Sequence, residues 1–356
     1  MPGQKERKIM KKIAIIGYGG QGAWHAEHAF RSDVVALAGV YDVSAARCDA
    51  ARERGICVYP SREELLSDPE VDIVVCATPN DSHKEIVISA LRAGKHVICE
   101  KPVALSVSDF DDMCREAETA GRLLTVHQNR RWDVDYLAIR SLLRTGEIGD
   151  AVNIESRIHG SRGIPSDWRC KAEHGGGMIY DWGVHLIDQI LQLIPEKVTH
   201  IYCEMTHITT KEVDDGFKLL MTFDGGKHAT VEVGTYNFLP LPRFYMQASE
   251  GTAVIDDWQK NCRVAKLTAW CERDVLPVQT AAGITKTMAP RDSLTLRTYE
   301  CPRPVSDVHD FYRNFTAATD GKCDMAVSHC EVRRVLSVIE AAIASGESKT
   351  ALSVNI

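Results

Sequence analysis

The sequence predicts an α/β domain with a doubly wound parallel sheet, followed by an α+β domain built on a mainly antiparallel sheet. Three observations carry that expectation. Short apolar runs alternate with amphipathic stretches over residues 11–128. After about residue 150, strand-like runs succeed one another with no helix between them. Gly17, Gly19 and Gly22 stand between the first apolar run and the first helical stretch. Apolar strands without polar alternation belong to parallel sheets covered on both faces, and strands in uninterrupted succession belong to antiparallel ones.

The elements follow in order. MPGQKERKIM, residues 1–10, reads as a mobile leader without the apolar block of a secretory signal. KKIAIIG is the first strand, GGQGAWHAEHAF the first helix, and VVALAGVYD the second strand, ending in Asp42. VSAARCDAARERG is a second helix and CVYP a short third strand. Ser61 with Glu64 forms a capping box, and Ser82 with Glu85 a second one before EIVISALRAGK. Between those boxes VDIVVCATP is a strand, and HVICEKP is the next, with a polar end. The first domain is drawn over residues 11–130 and the second over 131–356. In the second, GMIYDWGVHLIDQILQLI is a helix, and THIYCEMTHIT, FKLLMTFD, KHATVEVGTY, RFYMQASEG and TAVIDDW are strands. SDVHDFYRNFTAATDG and SHCEVRRVLSVIEAAIASGE are closing helices able to pack back on the first domain.

Bulk properties exclude several classes of function. A formal net charge of −7 gives no reason to expect a nucleic-acid partner, and no apolar run is long enough to span a bilayer. The twelve cysteines are scattered with no Cys-x-x-Cys, which predicts reduced thiols and a cytoplasmic protein. No His, Cys or carboxylate cluster has the spacing of metal ligands, so no metal is expected.

The glycines point to a dinucleotide. In GYGGQG, Gly17, Gly19 and Gly22 with Gly20 and Gln21 permit a tight turn whose N–H groups approach a pyrophosphate at the helix N-terminus. Asp42, 20 residues past Gly22, can take the ribose hydroxyls and repel a 2′-phosphate, so NAD is favoured over NADP. Ligands gather at the carboxyl ends of such strands. That places Thr78, Pro79, Asn80 and His83, and then Glu100 and Lys101, beside the cofactor. Lys101 there can stabilise a developing alkoxide. His83 is equally well explained as a structural residue on the first turn of its helix.

GGGMIYDWGVHLID, residues 175–188, puts Asp181, His185 and Asp188 on one helical face, opposite Gly183, Leu186, Ile187, Ile190, Leu191 and Ile194. Amphipathicity alone accounts for that pattern; an imidazole base with a carboxylate one turn away accounts for it too. Gly175 to Gly177 allow close backbone approach.

Taken together, GYGGQG, ATPN, EKP and GGGMIYDWGVHLID resemble the Gfo/Idh/MocA family of nicotinamide-dependent sugar and cyclitol oxidoreductases across nearly the whole chain. The resemblance implies a Rossmann domain, then an open-faced sheet that mediates homo-oligomerisation, with Lys101, Asp181 and His185 as the catalytic set. It implies hydride transfer from a secondary alcohol of a carbohydrate or glycoside. Asn129, Arg130, Trp132, Asp133 or Tyr136 of NRRWDVDY are candidates to reach substrate, as are Trp168 and Arg169. With NFLPLPRFY, Trp168 and Arg169 suggest a pocket for an aglycone, hence oxidation at C3 of a glucoside. The alternatives are an inositol or free-sugar dehydrogenase, a glycosidase that uses NAD transiently, and a non-catalytic dinucleotide-binding regulator.

Overall fold

The computed structural model describes residues 10–269, 275–291 and 293–356; apart from Met10, the expected leader lies outside them. The first half alternates β1 (Lys11–Ile16), α1 (Gly20–Arg31), β2 (Val35–Tyr41), α2 (Ala45–Glu53), α3 (Arg62–Ser67), β3 (Ile73–Cys76), α4 (His83–Arg92), β4 (His96–Cys99), α5 (Val107–Ala120) and β5 (Leu124–Val126). These strands form a parallel sheet in the order β2-β1-β3-β4-β5. Ile13, Ile15, Ile73, Val75 and Ile98 are fully buried because helices cover both faces. The chain reverses direction of winding between β1 and β3, and their carboxyl ends open the crevice where ligands bind in such sheets.

Two local expectations change. CVYP is not a strand of the sheet: Val58 makes one isolated bridge to Val40, with Tyr59 lying against Gly39, so HVIC is the fourth strand. Ser61 does accept from the Glu64 N–H at 3.1 Å. Ser82, however, is itself in helical conformation, and its hydroxyl turns back to Thr78 Oγ1 and the Pro79 carbonyl. Glu85 instead meets Arg62 at 2.8 Å.

The second half contains α6 (Val134–Thr145), β6 (Ala151–His159), α7 (Val184–Leu193), β7 (Val198–Thr206), β8 (Gly216–Phe223), β9 (His228–Gly234), β10 (Phe244–Ala248), β11 (Gly251–Ile255), β12 (Cys262–Leu267), β13 (Val278–Thr280), β14 (Gly283–Thr285), β15 (Leu296–Cys301), α8 (His309–Thr319), α9 (His329–Ser348) and β16 (Leu352–Ser353). Nine strands pair in the order β15-β12-β11-β10-β6-β9-β8-β7-β16, antiparallel except for β6 with β9. The unanticipated β6 hides its pattern because Ser156, fully buried beside Ile154 on the inward face, holds a place a simple alternation would fill with an apolar residue; on the other face Arg157 Nε reaches Glu232 of β9 at 3.1 Å.

One face of this sheet packs on Leu186, Ile187 and Ile190 of α7 and on Val338 and Ile339 of α9. The other exposes Val152 of β6 and Leu220 of β8. Phe311, Tyr312 and Phe315 of α8 belong to the first core, and α9 serves both, Leu336 facing the first and Val335 the second. Among the described residues no helix is long and apolar enough to cross a membrane.

Candidate active site

The groove begins in backbone geometry. Gly17 has φ +95°, and a Cβ there would meet the Ala77 carbonyl oxygen at 2.5 Å; one on Gly22 would meet the Gly17 oxygen at 1.8 Å. Strand, turn and helix therefore close on each other as only glycine permits. The helix α1 has Gly19 as N-cap with no side-chain hydrogen bond and no acid in its first turn. Its first N–H groups are left for an anion. Gly19, Gly20 and Gln21 line a cavity of about 630 Å³ that shares Arg47, Thr78 and Pro79 with a second of about 460 Å³, beside Asp42. An extended two-part groove over an uncapped helix N-terminus fits a dinucleotide.

Asp42 is more engaged than its place at a strand end suggests. Its Oδ2 accepts from Tyr18 N at 2.7 Å, its Oδ1 from Ser44 N at 2.8 Å, and Arg47 stands 3.4 Å away. No local pattern singles out Arg47, which lines both cavities.

At the other end, Lys101 Nζ donates to Asp181 Oδ1 at 2.9 Å and to the Asp181 carbonyl at 2.8 Å, while Arg169 Nε reaches Asp181 Oδ2 at 3.3 Å. Burial pushes the Asp181 carboxyl up, but Lys101 and Arg169 outweigh it and hold the group below its ordinary value. Asp181 lies in a π-helical turn, Ile179–Gly183, that leads into α7, rather than in the regular helix the spacing predicts. Such turns frequently occur at functional sites. Asp214 ties down its start, accepting from Ile179 N at 3.0 Å.

His185, on the first turn of α7, is 4% exposed, and its Nδ1 has no hydrogen-bond partner among the described residues. Burial, then the charges of Lys101 and Arg130, hold it well below the usual imidazole value, so it is neutral at pH 7. Asp188, on the predicted polar face, is buried in a two-bond pair with Arg131, at 2.8 and 2.6 Å. The predicted face is therefore split: Asp181 lines the first cavity, whereas Asp188 is held in a buried ion pair.

The segment carrying Asp167, Trp168 and Arg169 forms one wall of the first cavity, and His174 lines the second. Asn80 Nδ2 donates to the Gly175 carbonyl at 2.9 Å, and His174 Nδ1 stands 3.2 Å from Asp81. A Cβ on Gly175 would meet Leu105 at 2.2 Å, and one on Gly177 would meet Asp214 Oδ1 at 2.2 Å, which accounts for the glycine run.

Several expected neighbours lie elsewhere. His83 is buried with both ring nitrogens facing carbonyls, Pro102 at 2.9 Å and Thr78 at 3.0 Å, so it holds two loops together. Asn129 and Trp132 line a separate groove with Asp307 and His309, which meets the first cavity only at Trp24. Arg130 stacks over Trp182, 4.2 Å from its centroid. Tyr136 is fully buried in the second core and cannot reach a substrate. Phe238 and Leu239 of NFLPLPRFY are exposed and line neither cavity.

Comparison with known proteins agrees with this geometry. A family model described as oxidoreductase family, NAD-binding Rossmann fold, matches residues 11–128, and one described as GFO/IDH/MocA C-terminal domain matches residues 136–254. The crystal structure of an NAD-binding protein from Listeria innocua is similar with a TM-score of 0.94 at 41% identity, over 97% of this chain and 99% of that one. The scyllo-inositol 2-dehydrogenase (NADP(+)) IolW of Bacillus subtilis is 27% identical over 351 residues, 95% of this chain and 94% of that protein. The uncharacterized oxidoreductase C115.03 of Schizosaccharomyces pombe is 38% identical over 172 residues, so the match spans about half of that relative, 47%. With both models matched in order along a chain that carries the uncapped glycine turn and the Lys101–Asp181 pair, the protein belongs to the Gfo/Idh/MocA family of NAD(P)-binding oxidoreductases.

Proposed function

We propose that the protein is a dehydrogenase that oxidises a secondary hydroxyl of a cyclic polyol, sugar or glycoside. The observation that carries this reading is the Lys101–Asp181 ion pair at the end of the dinucleotide groove, beside a buried neutral His185. A nicotinamide held by the Gly19–Gln21 turn would supply the hydride acceptor. His185 takes the hydroxyl proton, for which a neutral imidazole is required. The Lys101 ammonium holds the same oxygen and stabilises its negative charge as the C–H bond breaks. Asp181 keeps that ammonium oriented.

Asp42 supports NAD over NADP, by repulsion of a 2′-phosphate. The relative named for NADP keeps Arg47 in view as an opposing charge. Trp168, with Arg169 stacked 4.6 Å from its ring centroid, supports a wall beside a sugar ring and hence the narrower reading of a glucoside oxidised at C3. The name of IolW favours a cyclitol as the other substrate class. The exposed apolar face of the second sheet supports a homo-oligomer, and free cysteines support a cytoplasmic setting.

The test is nicotinamide reduction by the purified protein with NAD or NADP and a panel of inositols, free sugars and glucosides. Reduced nicotinamide with one class names the substrate group. Cleaved glycoside without net reduction selects the transient-redox glycosidase, and bound dinucleotide with no turnover selects the regulator. For the active pair, His185→Ala is expected to lower kcat by about 10²–10⁴-fold while dinucleotide affinity stays within about threefold. An unchanged kcat would remove His185 from the mechanism.

A further inference from the structure

Behind Lys101 lies a buried network that the reaction above does not use. Glu100, after β4, lines the first cavity with its side chain only 6% exposed. Its Oε1 accepts two imidazole N–H groups, His25 Nε2 from α1 at 2.9 Å and His127 Nδ1 from the end of β5 at 2.7 Å. The Tyr312 hydroxyl of α8 donates to His25 Nδ1 at 2.6 Å. Burial pushes the Glu100 carboxyl up, but the two histidines outweigh it and hold the group well below its ordinary value. Burial lowers His25 to about 4, so it is neutral. His127 Nε2 is buried without a partner among the described residues, its ring packed on Trp24 and Phe311. Glu100 is the acid of this network and its one member that lines the first cavity.

We propose that the Glu100 carboxylate, held ionised by His25 and His127, sets the redox balance of the bound nicotinamide. The inference rests on the cofactor reading above. An oxidised nicotinamide ring is cationic and a reduced one is neutral. A fixed negative charge in the groove wall therefore stabilises the oxidised form and makes the bound reduced form a stronger hydride donor. Burial leaves that charge little screened by salt. Lys101, the next residue, acts in the opposite sense, so the bound couple reflects the difference between two adjacent charges.

Fluorescence titration with NAD and with NADH separately measures the effect without turnover. Glu100→Gln is expected to raise the ratio of the NAD Kd to the NADH Kd by about tenfold, equivalent to about 30 mV for a two-electron couple. Glu100→Asp, which keeps the charge, is expected to hold the ratio within about threefold of wild type. If Glu100→Gln does not fold, Lys101→Met is the second route: loss of the neighbouring cation moves the ratio the other way, toward tighter NAD. An unchanged ratio in Glu100→Gln, an equal shift in Glu100→Asp, or no opposite shift in Lys101→Met overturns the inference. A wild-type protein that binds neither dinucleotide overturns the cofactor reading instead.

Discussion

At the Gly19–Gln21 end of the groove the working groups are backbone N–H groups held by one short turn, whereas at the Lys101 end they are charged side chains brought together from positions 80 residues apart. The first end depends on the absence of atoms. A single methyl on Gly22 has no space within the turn. The second depends on balanced charge: Lys101, Arg169 and Asp181 compensate one another, and a substitution there leaves a partner unpaired but the backbone in place. The contrast teaches that binding in this fold is a property of chain shape, and chemistry a property of which distant side chains the shape collects.

That contrast can be broken at either end. The largest effect is expected from Gly22→Ala, whose Cβ forces the turn open; overpacking of roughly 3 kcal/mol corresponds to a loss of dinucleotide affinity on the order of a hundredfold. Titration that finds affinity within about threefold of wild type would place the dinucleotide elsewhere. Asp181→Ala comes next. Lys101 keeps its bond to the residue 181 carbonyl, so kcat/KM is expected to fall about tenfold to a hundredfold with dinucleotide affinity unchanged. A parallel loss of affinity would show that the two ends are not separable.

The smallest effect is thermal. His25 and His185 have folded values held below the ordinary imidazole value, His25 at about 4. The unfolded chain takes up these protons near pH 6.5 and the folded chain does not, so acid favours unfolding. The stability in question is fully present above about pH 6.5 and is lost as pH falls toward about 4. Melting temperature is expected to drop by roughly 5 °C between pH 7 and pH 5. The drop should shrink in His25→Gln; a flat profile would mean that both imidazoles are charged in the folded state.

How much could be read in advance differs residue by residue. The alternation of β1, α1 and β2 and the glycine turn were legible because apolar burial and φ preference act within a few residues. The Ser82 box failed because the pattern takes no account of the preceding Pro79, whose carbonyl claims the Ser82 hydroxyl. CVYP failed as a strand because after the single bridge of Val58 to Val40 the chain reaches Pro60, which has no N–H to continue a ladder. Tyr136 was misjudged because a segment of mixed charge hides which side of α6 meets the core. Glu100 was placed in the groove, but its partners His25, His127 and Tyr312 have no sequence relation to it that any periodicity expresses.

The sequence by itself determined the alternation of the first strands and helices, the glycine turn, and which residues were chemically capable of catalysis, since each follows from local sterics and hydrophobic period. Only the tertiary structure decided which capable residues act together. Asp188 went to Arg131 and His83 to two carbonyls, while Asp181 went to Lys101 and Arg169. The physical reason is that a buried charge or polar group must find a partner, and the partner is chosen by packing between elements rather than by distance along the chain.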